Sequence, residues 1–261
     1  VLMAGGRPVR VPLREEEGFR MLPSEVEAKI TPRTKAIIIN TPSNPTGGVL
    51  EKEDLEGIAE LAVKHDLYVI SDEVYEKLVY DGHRHVSLAS LPDMWERTVT
   101  VNSFSKTYAM TGWRIGYAAA PKALVDEMVK LQQFTMVHAP AVSQRAALAA
   151  LKGPQGFVEE MVREYDRRRR FIVDRLNAIP GLSCLRPKGA FYVFLNIKEL
   201  GLSSEEAAMR LLERAKVVTV PGSAFGPGGE GYLRISYARP IEQLEEACDR
   251  IEKAVRELRG G

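Results

Sequence analysis

The sequence has little cysteine and no excess of charge of one sign. Two of its 261 residues, Cys184 and Cys248, are cysteines, too few for a disulfide framework, which indicates a reducing compartment. The formal net charge of +1 favours neither nucleic-acid binding nor a charged, disordered chain. No apolar run approaches the roughly 20 residues that a membrane helix needs, and no signal peptide is recognised. We therefore expect a cytoplasmic protein with no nucleic-acid or membrane partner.

Three local patterns suggest other functions, and each has a simpler interpretation. His83 and His85 lie in a predicted loop and we expect no cysteine or acidic cluster nearby, so we predict no metal site. The basic run 167–170 lies among acidic residues of one predicted helix, which favours a solvated, ion-paired face. Residues 226–231 match the dinucleotide motif G-x-G-x-x-G, but they precede a strand rather than a helix, so we reject that function.

The first part of the chain alternates β-rich runs with helical periodicity. Such alternation predicts an α/β fold, with a mostly parallel, mixed sheet and helices on both faces. The predicted strands are 35–40, 67–71, 98–101 and 114–120, and the predicted helices are 52–65 and 122–133. We assign residues 1–150 to a large domain of this kind.

The second part has a different pattern, beginning with a long charged helix predicted over residues 156–177. Ser203 and Glu206 have capping-box spacing at the start of a further helix, and a regular apolar stripe predicts a helix near the chain's end. The predicted strands here are 182–185, 191–196, 217–220 and 232–237. We assign residues 151–261 to a smaller α+β domain that includes the long helix.

Unusual polar segments follow three of the predicted strands of the first part. They are NTPSNPTGG (residues 40–48), SDEVY (71–75) and SFSKTYAMTGWRIG (103–116). Ligands of open α/β sheets bind beyond the carboxyl ends of the strands, so these segments are expected to meet at one sheet edge. A single such segment is weak evidence, since Asp and Asn commonly form turns, but three converging segments indicate a binding site.

The residue types in these segments match the chemistry of pyridoxal phosphate. Its aldehyde reacts with a lysine amine, and its ring nitrogen needs a carboxylate to stay protonated. Its phenolic oxygen accepts hydrogen bonds from hydroxyl or amide donors, and its phosphate binds hydroxyls and a guanidinium group. The sequence supplies a lysine, an aspartate, a tyrosine, an asparagine, two serines and an arginine in the three segments.

The same segments, in order and spacing, resemble the class I/II aminotransferases of the aspartate aminotransferase superfamily, which are fold-type I pyridoxal-phosphate enzymes. Residues 222–238, GSAFGPGGEGYLRISYA, are similar to the family's substrate-carboxylate segment. The resemblance covers essentially the whole chain. It implies a homodimer that transfers an amino group between an L-amino acid (aspartate, aromatic or broad specificity) and a 2-oxo acid such as 2-oxoglutarate.

The resemblance also implies a role for each matching residue. Lys106 would bind the cofactor's aldehyde and carry a proton, and Asp72 would pair with the ring nitrogen. Tyr75 and Asn44 would bind the ring's phenolic oxygen. The phosphate would be held by Ser103, Ser105 and Arg114.

Arg234 would bind the substrate's α-carboxylate, with Asn44 beside it. Alternation in the predicted strand supports this role, because Leu233 and Ile235 share one face and Arg234 points the other way. A solvent-facing arginine is the alternative. Asn44-Pro45 is a candidate cis peptide.

Members of the family normally have a further N-terminal segment, which carries a phosphate loop and a ring-stacking aromatic residue. The resemblance therefore implies an N-terminally truncated large domain with exposed apolar surface. Two alternatives to aminotransfer stay open. One is a non-catalytic remnant that serves as an interaction domain, and the other is a pyridoxal-phosphate-dependent β-lyase.

Overall fold

The computed structural model describes residues 1–259, and their contacts divide the chain into two compact units. The first unit comprises residues 1–42, 49–77 and 84–155. The second comprises residues 43–48, 78–83 and 156–261. Two short segments of the first half thus belong to the second unit, which the sequence does not indicate. The division into domains at residue 150 stays a prediction.

The first unit is built on a four-stranded sheet in the order β1-β2-β3-β4. The first three strands are parallel, and β4 is antiparallel to β3. Its elements are α1 (Pro23–Glu27), β1 (Ala36–Asn40), α2 (Lys52–Lys64), β2 (Tyr68–Asp72), β3 (Thr98–Ser103), α3 (Phe104–Thr107), β4 (Gly116–Ala119), α4 (Lys122–Thr135) and α5 (Ala141–Lys152). The predicted α/β fold with a mainly parallel, mixed sheet is confirmed.

One face of this sheet packs against a continuous apolar core. Ile37, Ile39 and Val69 point into that core, together with Leu55 and Ile58 of α2. Strand alternation places the neighbouring residues on the opposite face, where large apolar side chains are partly exposed. These are Ile38, Tyr68, Ile70 and Val101.

The second unit combines a three-stranded antiparallel sheet with three long helices. Its elements are α6 (Gly156–Asn177), β5 (Tyr192–Asn196), α7 (Ser204–Ala215), β6 (Val220–Pro221), β7 (Tyr232–Ser236) and α8 (Ile241–Arg259), and the sheet order is β5-β7-β6. The predicted capping box of α7 is present, because the Ser203 and Glu206 side chains bind each other's backbone N–H groups. None of the helices in residues 1–259 is long and apolar enough to cross a membrane.

Three expectations for the second unit are wrong in whole or in part. The strand predicted at 217–220 is observed as β6, Val220–Pro221, which shares only Val220 with the prediction. The strand predicted at 182–185 is reduced to a single bridge, between Ser183 and Asn196. The Asn177 side chain accepts a hydrogen bond from Cys184 N and donates one to Cys184 O, so these backbone groups are satisfied without a strand partner. The basic run of α6 is also not fully solvated, since Arg169 is completely buried.

Arg169 is stabilised by carboxylates from two segments of the second unit. Its guanidinium group forms ion pairs with Asp166, one turn earlier on α6, and with Asp81 at 2.7 Å. It also donates a hydrogen bond to Pro187 O and lies over the Tyr80 ring. A buried guanidinium needs such charge and hydrogen-bond partners. Arg169 therefore ties α6 to the loops at residues 81 and 187.

Candidate active site

The end of β2 presents Asp72, a partly buried carboxylate. Its main chain is fixed by the neighbouring strand, because Asp72 O accepts hydrogen bonds from Thr41 N and Asn40 Nδ2. Its Oδ1 accepts a hydrogen bond from Val74 N at 3.3 Å. Burial raises the pKa of Asp72 above its ordinary value, and the charge of Glu73 adds to this effect, while the Val74 hydrogen bond opposes it. Asp72 forms no ion pair with a basic side chain of residues 1–259.

Lys106 lies in α3, the short helix that directly follows β3, close to Tyr75. Ser103 ends the strand and caps α3, since its Oγ accepts a hydrogen bond from Ser105 N at 3.1 Å. The turn places Lys106 Nζ 6.0 Å from the centre of the buried Tyr75 ring. Because Asp72 precedes Tyr75 by three residues and pairs in register with Val101, the ends of β2 and β3 carry these groups side by side.

Arg114 occupies the turn between α3 and β4. Its backbone is left-handed, with φ of 49°, and its Nη1 donates a hydrogen bond to Thr111 O at 2.8 Å. Two residues after Arg114, Gly116 pairs with Ser103 across the sheet. A Cβ at Gly116 would lie 2.6 Å from Asn102 O, so glycine permits this close pairing. The serine turn and the arginine turn are thereby held at the same end of β3.

Asn44 and Arg234 belong to the second unit, where they bind each other. Arg234 Nη1 donates a hydrogen bond to Asn44 Oδ1 at 2.9 Å. Arg234 lies on the central strand β7, is partly buried, and forms no ion pair with an acidic side chain of the described chain. The structure thus makes Arg234 partly buried rather than fully solvent-facing. Asn44-Pro45 is cis, as is Thr41-Pro42.

The structure therefore groups the predicted site residues within two sets. The first unit holds one set at the ends of β2 and β3, comprising Asp72, Tyr75, Ser103, Ser105, Lys106 and Arg114. The second unit holds Asn44 with Arg234. Asn44 is adjacent in sequence to the first sheet, but Gly47 O accepts hydrogen bonds from Lys188 N and Gly189 N, which binds its segment to the second unit.

A buried polar cluster next to Asp72 was not predicted. Glu73 is 2% exposed, and its carboxylate accepts hydrogen bonds from Ser71 Oγ and Ser87 Oγ and lies 2.8 Å from His85 Nε2. Glu76 lies close enough to join Glu73 and His85 in an acidic group, so the expectation of none beside His85 is wrong. The signal was present in SDEVY, where the Glu73 side chain must leave the sheet on the face opposite Asp72.

Two aromatic rings around Arg234 were also missed. The guanidinium carbon lies 4.6 Å from the centre of the Tyr192 ring and 5.1 Å from that of Phe225. The contact of Tyr192 with Arg234 could be predicted only if the pairing of β5 with β7 were known, because Phe194 then lies opposite Arg234 and Tyr192 shares its face. Phe225 comes from a loop whose path no periodicity predicts.

Comparison with known proteins identifies the family. The family model "Aminotransferase class I and II" matches residues 1–251. The chain is 55% identical over 259 residues to aromatic-amino-acid aminotransferase 2 of Thermococcus litoralis, covering 98% of this chain and 66% of the relative. It is likewise 55% identical to an aspartate aminotransferase of Pyrococcus abyssi, with the same coverage. This chain belongs to the class I and II aminotransferase family.

Solved structures agree with this assignment. An aromatic aminotransferase from Pyrococcus horikoshii superposes with a TM-score of 0.95 at 52% identity, over 98% of this chain and 69% of that one. An aspartate aminotransferase from Thermus thermophilus, solved with maleate, gives a TM-score of 0.91 at 44% identity, over 97% of this chain and 65% of that one. The chain spans about two thirds of the length of the curated relatives it matches, 66% in the two described above.

Proposed function

We propose that this chain forms the cofactor- and substrate-binding part of a pyridoxal-phosphate-dependent aminotransferase. The observation that carries the proposal is the grouping of polar side chains at the ends of β2 and β3. There, Lys106 Nζ lies 6.0 Å from the centre of the Tyr75 ring, and Tyr75 follows Asp72 by three residues. The substrates are an L-amino acid, aspartate or an aromatic one as in the named relatives, and a 2-oxo acid such as 2-oxoglutarate.

The chemistry of the donor set fits pyridoxal phosphate. A carboxylate that is partly buried and has no basic partner among residues 1–259 suits a cationic ring nitrogen, and Asp72 is such a group. Ser103, Ser105 and Arg114 supply hydroxyls and a guanidinium group for a phosphate. Tyr75 and Asn44 would bind the phenolic oxygen. When bound, the cofactor supplies an aldehyde that takes up the substrate's amino group and a protonated ring that withdraws electrons from the substrate's Cα.

The protein's own groups would perform the remaining tasks. Lys106 Nζ holds the cofactor and then moves a proton to and from the substrate's Cα. The Asp72 carboxylate keeps the ring nitrogen protonated, and its burial strengthens that interaction. Arg234 binds the substrate's carboxylate through its planar donor fork. Cytoplasmic location and homodimerisation are part of the same proposal, supported by two buried cysteines that are not in a disulfide and by the exposed apolar surface.

The test is the absorbance spectrum of the chain mixed with pyridoxal phosphate. We expect a visible band that the Lys106→Ala variant loses, since Lys106 supplies the reacting amine. Lys130→Ala is the matched control, because Lys130 is an exposed lysine of α4 and should leave the band unchanged. An unchanged band in Lys106→Ala contradicts the proposal and favours a non-catalytic remnant.

Product analysis then identifies the reaction. With L-aspartate or L-tyrosine and 2-oxoglutarate, glutamate should form together with the new 2-oxo acid. Release of pyruvate from L-cysteine without glutamate would instead identify a β-lyase.

A further inference from the structure

No residue of the glycine-rich segment 222–231 has a role assigned above, yet this segment brings an aromatic ring close to Arg234, the arginine proposed to bind the substrate. Phe225 ends a short turn, Gly222–Phe225, and its ring lies 5.1 Å from the guanidinium carbon of Arg234. Phe225 is 38% exposed, so it is not simply a core residue. The position of Phe225 therefore depends on the contacts that hold this turn, and its ring contributes a contact to Arg234.

Two glycines hold the turn by direct backbone contact. A Cβ at Gly222 would lie 2.0 Å from Gly229 O, and a Cβ at Gly229 would lie 2.1 Å from Gly222 O. Only glycine permits both approaches, because a real Cβ never comes that close to a carbonyl oxygen. Gly226, directly after Phe225, has a φ of 116°, a backbone conformation that residues other than glycine rarely adopt. The contact between Gly222 and Gly229 therefore fixes the backbone on both sides of Phe225.

The other contacts of Arg234 define what Phe225 adds. The Tyr192 ring, on the same face of the sheet, lies 4.6 Å from the guanidinium carbon and is buried. Asn44 Oδ1 takes one N–H group. No carboxylate among residues 1–259 pairs with Arg234. The guanidinium is thus held by two rings and one amide, and its charge has an anionic ligand as its natural partner.

We propose that Phe225 is a positioning residue for Arg234, and that its ring holds the guanidinium plane in the orientation that binds a ligand's carboxylate with two parallel hydrogen bonds. The proposal rests on the proposed role of Arg234 in binding the substrate's carboxylate. A cation beside an aromatic face is attracted to it, which restricts a side chain that otherwise has many rotamers. Restricting the free side chain lowers the entropic cost of binding.

The test uses the full chain and 3-phenylpropionate, an acid with a single carboxylate, with 3-phenylpropionamide as its neutral counterpart. Binding is measured by isothermal titration calorimetry. We expect Phe225→Leu to weaken binding of the acid about threefold, as for the loss of one partly exposed cation–π contact. Phe225→Tyr keeps the ring and should bind within about twofold of the parent. Phe157→Leu is the matched control, because Phe157 is a comparably exposed phenylalanine of α6.

The outcomes separate this inference from the function on which it rests. Arg234→Lys should lose most of the binding; if it does not, or if the parent binds acid and amide equally, the proposed carboxylate site falls and this inference with it. If Arg234→Lys loses binding but Phe225→Leu does not, only the role of Phe225 is overturned. Equal losses in Phe225→Leu and Phe225→Tyr also overturn it, because the ring would then not be the cause. Melting curves of all variants check that each is folded.

Discussion

Two partly buried charges, Asp72 and Arg234, have no oppositely charged partner within residues 1–259. Folding does not favour such groups, since burial without a partner penalises the charged form. They are explained if the ligand supplies the missing charges, a cationic ring nitrogen at Asp72 and a carboxylate at Arg234. At the residue scale, Asp72 and Arg234 thus lower the stability of the ligand-free chain and provide charges that bind the ligand.

The first prediction concerns Asp72→Asn. Burial raises the pKa of Asp72, so its negative charge destabilises the folded, ligand-free chain. The full effect is present at pH values above the raised pKa, and it disappears at pH values below the ordinary pKa of 3.8. Asparagine retains an acceptor for Val74 N. Urea unfolding should therefore show a variant more stable than the parent near pH 7, with the difference shrinking towards about pH 4. The same variant should bind pyridoxal phosphate more weakly. A variant less stable than the parent near pH 7 would show that the carboxylate is structural.

The second prediction concerns Arg169→Met, which removes a fully buried charge and keeps an apolar stem. Asp81, Asp166 and Pro187 O would lose a donor, so we expect a loss of about 3 kcal/mol in the free energy of unfolding. Arg250→Met, which breaks a surface pair with Glu246, should change it by less than about 0.5 kcal/mol. Urea denaturation measures both.

The pH dependence of the same variant has a defined sign. The hydrogen bond and charge of Arg169 lower the pKa of Asp81. That stabilisation is present above the ordinary value of 3.8 and is lost as the pH falls through the lowered pKa. Arg169→Met should therefore lose less stability than the parent as the pH falls below about 4. Parallel acid-unfolding curves for the two proteins would contradict this account.

At the scale of elements, sequence patterns predicted strands and helices well and missed what depends on specific partners. The strands of the first sheet and the boundaries of α6 follow from periodicity, which is a local property. The segment 182–185 does not form the predicted strand, because the backbone N–H and C=O groups of Cys184 bind the side chain of Asn177 instead of a neighbouring strand. Helix α5 was not predicted.

In the candidate site, too, local sequence patterns predict only part of the arrangement. The lysine, the aspartate and the serines follow strand ends, so their grouping in one unit could be predicted from a parallel sheet. The assignment of Asn44 to the second unit depends on Gly47 O and two N–H groups that lie about 140 residues further along the chain (Lys188 and Gly189). Phe225 likewise reaches Arg234 through a backbone contact between two glycines. No local pattern encodes such contacts.

The third prediction tests that glycine contact. Gly222→Ala places a Cβ 2.0 Å from Gly229 O, so the turn must shift and the free energy of unfolding should fall by more than about 2 kcal/mol. Gly228→Ala is the matched control in the same loop, because nothing lies within 4 Å of its Cβ position. It should be neutral or slightly stabilising, within about 1 kcal/mol, since alanine restricts the unfolded chain. If urea denaturation shows equal effects for the two variants, the contact between Gly222 and Gly229 does not hold the turn.

At the scale of the whole molecule, large apolar side chains are exposed on α4 and on one face of the first sheet. Helix α4 has no buried residue, although its sequence is amphipathic, and Leu131 and Phe134 are 69% and 89% exposed. The open face of the first sheet adds Ile38 and Tyr68. Burying one large apolar side chain stabilises an assembly by about 1.5–3 kcal/mol. Contiguous exposed residues of this kind mark an interaction surface.

The fourth prediction is that the chain self-associates through α4. Sedimentation velocity at increasing concentration should show a rising mass for the parent and a monomer for the double variant Leu131→Glu/Phe134→Glu, which removes the apolar surface. That variant lowers the net charge by two, and so does Lys130→Glu on the same helix, which leaves the apolar side chains in place. If repulsion between charges were the cause, Lys130→Glu would dissociate the assembly equally. Because the hydrophobic effect is the expected cause, Lys130→Glu should still associate, and a parent that stays monomeric at all concentrations would contradict association through α4.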